Sequence, residues 1–205
     1  AKLTLLEGPD ARIAPTALED ALRFTGRAGV HNVQRGALSL TQATEKGAAY
    51  TPDEVAALAA QAKAAGLPVH MDGTRFANTV ARLGCAPADL TWRAGVDVLC
   101  LGATKNGAMA AEAVILFDDA KAWELELRRK RGGHLFSKMR YLSAQMAAYL
   151  ADDLWLKLAG HANAMADRLA AGLRALPGVV LDHEMGANMM FPALPRRAHR
   201  ALQAA

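Results

Sequence analysis

Strand-like runs alternate with helical segments over residues 1 to about 120, and no other feature of the sequence limits the possible folds as much. The strand-like runs cover residues 3–6, 36–40, 69–71, 96–101 and 113–117. Alternation of this kind is typical of an α/β fold, in which helices flank a largely parallel sheet. We therefore predict such a sheet for the first part of the chain.

Helix-capping residues set the boundaries of the predicted helices. Thr51 as N-cap, Pro52 at the first helical position and Glu54 as the partner of the cap predict a helix that Gly66 ends. Two further predicted helices begin at Thr16, with Glu19 completing a capping box, and at about Phe76, with Gly84 as the stop.

After residue 118 the sequence becomes almost wholly helical. We predict one helix up to about residue 131 and a second over roughly residues 135–150. A third helix carries an apolar stripe of Leu158, Ala162, Met165, Leu169 and Leu173. Strand-like runs at residues 179–181 and 188–191 come last. This order predicts a large domain over residues 1–155 and the start of a smaller α+β domain over residues 156–205.

The composition is that of an ordinary globular protein, with 52% hydrophobic and 21% charged residues, which argues against disorder. No apolar run approaches the ~20 residues that a membrane-spanning helix needs, and no signal-peptide pattern begins the chain. Two cysteines, Cys85 and Cys100, do not make a disulfide framework in 205 residues, so we expect both to be thiols. These observations favour a cytoplasmic location.

The net charge of +4 reflects one local basic stretch. It contains Arg128, Arg129, Lys130, Arg131, Lys138 and Arg140. Such a run is compatible with nucleic-acid binding, with a solvated helix face, or with an anion site for a small phosphate. No aromatic interleaving or nucleic-acid motif accompanies it, so we expect neither nucleic acid nor a membrane as a partner.

Two polar clusters follow predicted strands, at the ends where open α/β sheets bind ligands. Asp72 to Arg75 follow residues 69–71, and Thr104 to Gly107 follow residues 96–101. An acid, an arginine and a lysine would then face one crevice. Pyridoxal phosphate (PLP) needs such groups, because its aldehyde condenses with a lysine amine and a carboxylate keeps its ring nitrogen protonated. Lys105 and Asp72 suit these two roles.

Each of these residues also has a simpler interpretation. Asp72 could only cap the following helix, and Lys105 could be a solvated lysine in a glycine-rich loop. His70 and Asp72 share a strand face, as metal ligands do, but the sequence offers no further histidine or cysteine partner. The Lys105 loop also lacks the glycine spacing and the following Ser or Thr of a Walker loop.

Two segments resemble motifs of one enzyme family. Residues 67–78, LPVHMDGTRFAN, are similar to the hxHhDGARhxN segment of the threonine aldolase family, and residues 102–107, GATKNG, are similar to its lysine loop. The resemblance extends over nearly the whole chain and is closest to the bacterial low-specificity L-threonine aldolases. It implies the α/β fold of PLP-dependent enzymes of fold type I, which is like that of aspartate aminotransferase.

The resemblance implies roles for four residues. Lys105 would hold PLP as a Schiff base, and Asp72 would pair with the ring nitrogen. Arg75 would lie by the ring hydroxyl of the cofactor or help to hold Asp72. Lys130 matches a basic position that the family places near the active site at a subunit boundary, although a solvated helix end is an equally simple interpretation. A homodimer or homotetramer is implied on the same ground.

The sequence departs from the family pattern in three places. The histidine that stacks on PLP and the loop that holds its phosphate belong before Ala1, and the arginine for the substrate carboxylate belongs after Ala205. Many members carry Asn-Thr-His where this chain has Gln42-Ala43-Thr44, so no base for the substrate hydroxyl is identified. We therefore expect the chain to be part of a longer protein.

The predicted reaction is aldol cleavage of a β-hydroxy-α-amino acid such as threonine to glycine and an aldehyde, with PLP as the electron sink. Two alternatives stay open. One is another PLP reaction on the same scaffold, such as β-elimination or transamination. The other is a chain without catalytic activity that serves only as a scaffold or in oligomer formation.

Overall fold

A four-stranded sheet lies at the centre of the computed structural model, which describes residues 2–25 and 29–204. In the order of the sheet, its strands are β1 (Leu38–Thr41), β2 (Val69–Gly73), β3 (Val98–Gly102) and β4 (Glu112–Leu116). The first three run parallel, and β4 runs antiparallel to β3. This arrangement confirms the predicted α/β class with a largely parallel sheet.

The helices of the described residues are α1 (Pro15–Thr25), α2 (Pro52–Ala64), α3 (Phe76–Leu83), α4 (Ala122–Arg131), α5 (Arg140–Leu150), α6 (Leu154–Arg174) and α7 (Arg196–Ala204). A short antiparallel pair, β5 (Val180–Leu181) and β6 (Pro192–Ala193), lies between α6 and α7. None of these helices combines the length and the apolar character that crossing a membrane requires.

The capping residues of α2 behave as predicted. Thr51 Oγ1 accepts a hydrogen bond from Glu54 N at 3.2 Å, and the Glu54 carboxylate accepts one from Thr51 N at 2.8 Å. Gly84 ends α3 with a φ of 63°, a left-handed conformation that favours glycine. The predicted box at Thr16 is wrong, because α1 begins at Pro15 and Thr16 lies inside the helix.

The two faces of the sheet differ in burial. Leu40, Val69 and Met71 point to a closed face, where they join one apolar core with residues of α2 and α3. The opposite face, called here the open face, carries Ser39, Thr41, His70, Asp72 and Cys100, which are half-buried or exposed. Because successive side chains of a strand alternate between faces, the polar residues of β2 all lie on the open face.

Helix α6 packs against α3 through a different face from the predicted stripe. Its buried residues are Trp155, Ala159, Asn163, Ala166 and Ala170. Leu158, Met165 and Leu169 of the stripe are 38%, 45% and 56% exposed. Alanines let the two helices approach closely, and a hydrogen-bonded pair of buried asparagines, Asn78 and Asn163, joins them.

Some predicted elements differ from the structure. Residues 3–6 form no strand, because an apolar run becomes a strand only where another strand pairs with it. α5 begins later than predicted, β6 lies just beyond the predicted run at residues 188–191, and α7 was not predicted. α6 spans the predicted boundary between residues 155 and 156, and the division into two domains stays a prediction.

Candidate active site

The carboxyl ends of β1, β2 and β3 lie at one edge of the sheet because these strands are parallel. Asp72 lies near the end of β2, and Arg75 is the residue before α3. Lys105 lies in a 3-10 turn, Thr104–Asn106, that follows β3. The fold therefore brings Asp72, Arg75 and Lys105 to the same edge.

The Asp72 carboxylate is held by the turn that follows it. Its Oδ1 accepts hydrogen bonds from Thr74 N at 3.0 Å and from Thr74 Oγ1 at 2.6 Å. Asp72 does not cap α3, because Arg75 occupies the N-cap position of that helix. In the part of the chain that the structure describes, no donor bonds to Asp72 Oδ2, so this oxygen is free for a further donor.

Lys105 is exposed, whereas both of its neighbours are anchored. Thr104 Oγ1 accepts a hydrogen bond at 3.2 Å from the backbone N–H of the residue before β4. Asn106 is buried, and its Nδ2 donates to Tyr149 Oη at 2.7 Å and to Trp155 O at 2.9 Å. The loop is thus fixed from two sides, and the Lys105 amine has no side-chain partner among residues 2–25 and 29–204.

The other two predicted basic residues differ in their placement. Arg75 is half-buried and pairs through its backbone with Gln42 O at 3.3 Å, while no described ion pair joins its guanidinium to Asp72. Lys130 lies exposed in the last turn of α4. Lys130 therefore lies outside the loops that carry the other three residues, and its role stays a prediction.

A polar cluster behind Asp72 on the open face was not predicted as a unit. His70 Nδ1 lies 2.9 Å from Ser39 Oγ, and its Nε2 lies 3.3 Å from Cys100 Sγ. Burial lowers the pKa of His70 more than the charge of Asp72 raises it, so the imidazole is neutral near pH 7. Burial, with smaller contributions from Asp72 and Glu112, raises the pKa of the Cys100 thiol.

The described residues contain no group of three or more His, Cys, Asp or Glu side chains that could hold a metal ion. The contacts of His70 with Ser39 and Cys100 are therefore polar pairs between neighbouring strands. Only the fold brings these residues together, because Ser39 and His70 are 31 positions apart and His70 and Cys100 are 30 apart.

Gly102 allows the backbone after β2 to approach β3 closely. A Cβ at this position would lie 2.9 Å from Thr74 Cα and 3.0 Å from Glu112 Oε2, closer than side chains tolerate. The Glu112 carboxylate therefore lies beside the turn of Asp72. The sequence did not single out Glu112, and only the antiparallel register of β4, in which Glu112 pairs with Gly102, places it there.

The free groups at this edge fit PLP chemically. The Lys105 amine suits an aldehyde, and the uncommitted Oδ2 of Asp72 suits a protonated ring nitrogen. The Arg75 guanidinium, which has no described side-chain partner, suits the ring hydroxyl. These are three matching groups on loops held by hydrogen bonds.

Known proteins provide an independent comparison. The chain matches the model of the beta-eliminating lyase family over residues 1–194. It is 44% identical over 204 residues to a low specificity L-threonine aldolase of Pseudomonas aeruginosa, with 99% of this chain and 58% of that protein covered. It is 41% identical over 203 residues to a protein of the same name from Pseudomonas sp. strain NCIMB 10558, with 98% and 58% covered.

A solved structure agrees with these sequence relatives. The threonine aldolase of Leishmania major superposes with a TM-score of 0.87 at 30% identity, covering 96% of this chain and 57% of that one. The chain thus spans 58% of the length of both curated relatives. The sheet and its helices have the fold of PLP enzymes of fold type I, and the chain belongs to the beta-eliminating lyase family.

Proposed function

We propose that the protein cleaves β-hydroxy-α-amino acids, such as L-threonine and L-allo-threonine, to glycine and an aldehyde, with PLP held at Lys105. The observation that carries this proposal is the common edge of Asp72 and Lys105 in a chain that is 44% identical to a named L-threonine aldolase. When bound, PLP supplies an electron sink for the cleaved Cα–Cβ bond.

The contacts of the residues support a role for each of them. Lys105 would hold the cofactor through Nζ, and the anchored Thr104 and Asn106 limit the movement of its backbone. Asp72 would keep the proton on the ring nitrogen through Oδ2, while Thr74 fixes the carboxylate through Oδ1. Arg75 would orient the ring by donating to its hydroxyl group.

Replacement of Lys105 tests the cofactor assignment. The full-length protein with PLP should show a yellow, borohydride-reducible absorption band, and Lys105→Ala should abolish both that band and turnover. Lys157→Ala is the matched control, because Lys157 is an exposed lysine of α6 whose one bonding partner within residues 2–25 and 29–204 is Asp152 O. Turnover retained in Lys105→Ala would overturn the proposal.

The products from threonine separate aldol cleavage from the other PLP reactions. Glycine with acetaldehyde supports the proposal, because these are the two halves of the cleaved Cα–Cβ bond. 2-Ketobutyrate would instead show that the protein catalyses β-elimination. A chain that serves only as a scaffold would yield neither product.

We also propose that the protein is a cytoplasmic homodimer or homotetramer. Trp123, Phe136 and Tyr141 expose large apolar surfaces, which support a contact with another subunit. Cys85 and Cys100 are free thiols, which supports a reducing compartment. Sedimentation of the full-length protein tests the assembly, and a monomer at micromolar concentration would contradict it.

A further inference from the structure

Gln42 is a buried polar residue directly after β1, at the edge of the sheet that carries the candidate site. Its exposed fraction is 0%, although a buried amide is costly unless its donor and acceptor are both paired. The proposed reaction assigns no role to this residue. Its hydrogen bonds show what it does in the fold.

The side chain of Gln42 forms two hydrogen bonds with the backbone of Tyr50. Its Nε2 donates to Tyr50 O at 2.8 Å, and its Oε1 accepts from Tyr50 N at 3.0 Å. Both polar groups of the amide are therefore satisfied by one residue. The two bonds close residues 42–50, called here the platform loop, just before Thr51 caps α2.

The backbone of Gln42 holds the turn that carries Asp72 and Arg75. Its N–H donates to Asp72 O at 2.8 Å, and its carbonyl accepts from Arg75 N at 3.3 Å. These two bonds reach both ends of the four-residue turn. The position of Gln42 thus sets the positions of two residues that would face the cofactor.

The rest of the platform loop is anchored as well. Thr44 N donates to Ala48 O at 2.8 Å, and Thr44 Oγ1 donates to Asp10 O at 2.8 Å. Gly186 N donates to Gly47 O at 2.7 Å. Because the loop is tied at several points, we expect a change in the hydrogen bonds between Gln42 and Tyr50 to shift Gln42 relative to the Asp72 turn.

We propose that Gln42 is a positioning residue for the cofactor site. It acts through the hydrogen bonds of its side chain to Tyr50 and of its backbone to Asp72 and Arg75. The identity of the cofactor rests on the proposed function, whereas the coupling between Gln42 and the turn does not. Both polar groups of the Gln42 amide are bonded to Tyr50, so the residue would act through the turn.

Gln42→Glu tests the hydrogen bonds to Tyr50, because the protonation state of the introduced carboxyl changes with pH. A protonated glutamic acid has the same shape as glutamine and donates to Tyr50 O. The ionised form has no donor, so a carboxylate oxygen and the Tyr50 carbonyl oxygen would repel each other. The PLP affinity of the variant relative to wild type should therefore be near one at pH 5. It should fall by about tenfold or more at pH 8.

The matched control is Gln34→Glu, which makes the same change at an exposed glutamine that donates to Gly29 O and Asn32 O. Its PLP affinity relative to wild type should not change between pH 5 and pH 8. Circular dichroism at both pH values shows whether each variant is folded. Titration of the introduced carboxyl shows whether it ionises between pH 5 and pH 8, since burial raises the pKa of a glutamic acid. If it does, a ratio for Gln42→Glu that does not change with pH, in a folded protein, would overturn the proposal.

Amide hydrogen exchange without PLP gives a second readout. Gln42→Met removes both bonds to Tyr50, so the amides of Thr74 and Arg75 should exchange at least about tenfold faster while α6 exchanges as in wild type. Unchanged exchange at both amides would also overturn the proposal. If wild type does not bind PLP, the proposed function fails, and the exchange rates alone decide the role of Gln42.

Discussion

At the scale of single residues, the Lys105 loop depends on Asn106. Asn106→Ala removes the donor to the buried Tyr149 hydroxyl and the Trp155 carbonyl. The free energy of unfolding should fall by roughly 1–3 kcal/mol, as measured by urea denaturation of the full-length protein. Asn32→Ala, at an exposed asparagine, should change it by less than about 0.5 kcal/mol. Equal losses in the two variants would contradict this role of Asn106.

The residues of the site were predictable to different degrees. Asp72 and Lys105 stand out because each follows a strand and carries a group with known chemistry. Gln42 and Asn106 do not, because their roles lie in hydrogen bonds to residues 8 and 43 positions away in sequence. A polar side chain in a sequence does not reveal whether the fold will bury and pair it.

At the scale of elements, α6 shows why the order of helices is easier to predict than their buried faces. Its predicted stripe contained the larger apolar residues, yet the helix buries Ala159, Ala166 and Ala170. In an alanine-rich helix, two faces are apolar enough to pack. The helix that it meets, α3, selects the face with small residues because it permits closer contact.

Asp97 joins three elements, and its carboxylate makes their packing sensitive to acid. Its Oδ2 accepts from Val69 N at 2.7 Å, and its Oδ1 pairs with Lys63 of α2. Burial alone would raise the pKa of Asp97, but the hydrogen bonds from Lys63 and Val69 and the nearby lysine charges lower it overall. The folded state therefore favours the ionised carboxylate.

The stability that Asp97 contributes is present above the pKa of its unfolded form, near 4, and is lost as the pH falls through the lower folded pKa. Asp97→Asn should be less stable than wild type at pH 7 and should lose less stability between pH 5 and pH 2. Urea denaturation at each pH measures both effects, with Asp20→Asn, at an exposed carboxylate of α1, as the control. Parallel curves for Asp97→Asn and wild type would contradict the assignment.

At the scale of the whole molecule, Arg12 connects segments that are far apart in sequence. Its guanidinium lies 3.1 Å from the Glu184 carboxylate and 3.6 Å from the Glu54 carboxylate, and it donates to Ala49 O at 3.2 Å. The Arg12 side chain is only 18% exposed. It therefore ties the segment before α1 to α2 and to the region between β5 and β6.

Arg12→Met should lower the free energy of unfolding by roughly 1–2 kcal/mol, because it removes one part-buried hydrogen bond and the solvent-screened ion pairs of the guanidinium. Urea denaturation of the full-length protein measures the loss. Arg23→Met is the matched control, since Arg23 is exposed and pairs with Asp20 of its own helix. The connecting role of Arg12 would be wrong if both variants lost the same stability.

The fold class was predictable because strands and helices alternate along the sequence, but the pairing of the strands was not. Residues 3–6 and the run within β2 look alike as short apolar segments. Only the second has neighbours on both sides, β1 and β3, which hold it in the sheet. Pairing depends on contacts between distant segments, which local patterns do not specify.

The register of β2 also has an evolutionary consequence. Asp72 is on the open face while Met71 and Gly73 face the core, and the pairing with β1 and β3 fixes this alternation. Deletion of one residue within β2 would place an apolar side chain or a glycine at the position that the carboxylate now occupies. We therefore expect lineages that keep the carboxylate to vary by substitution or in loop length, since loss of a single codon in this strand would move the carboxylate to the other face.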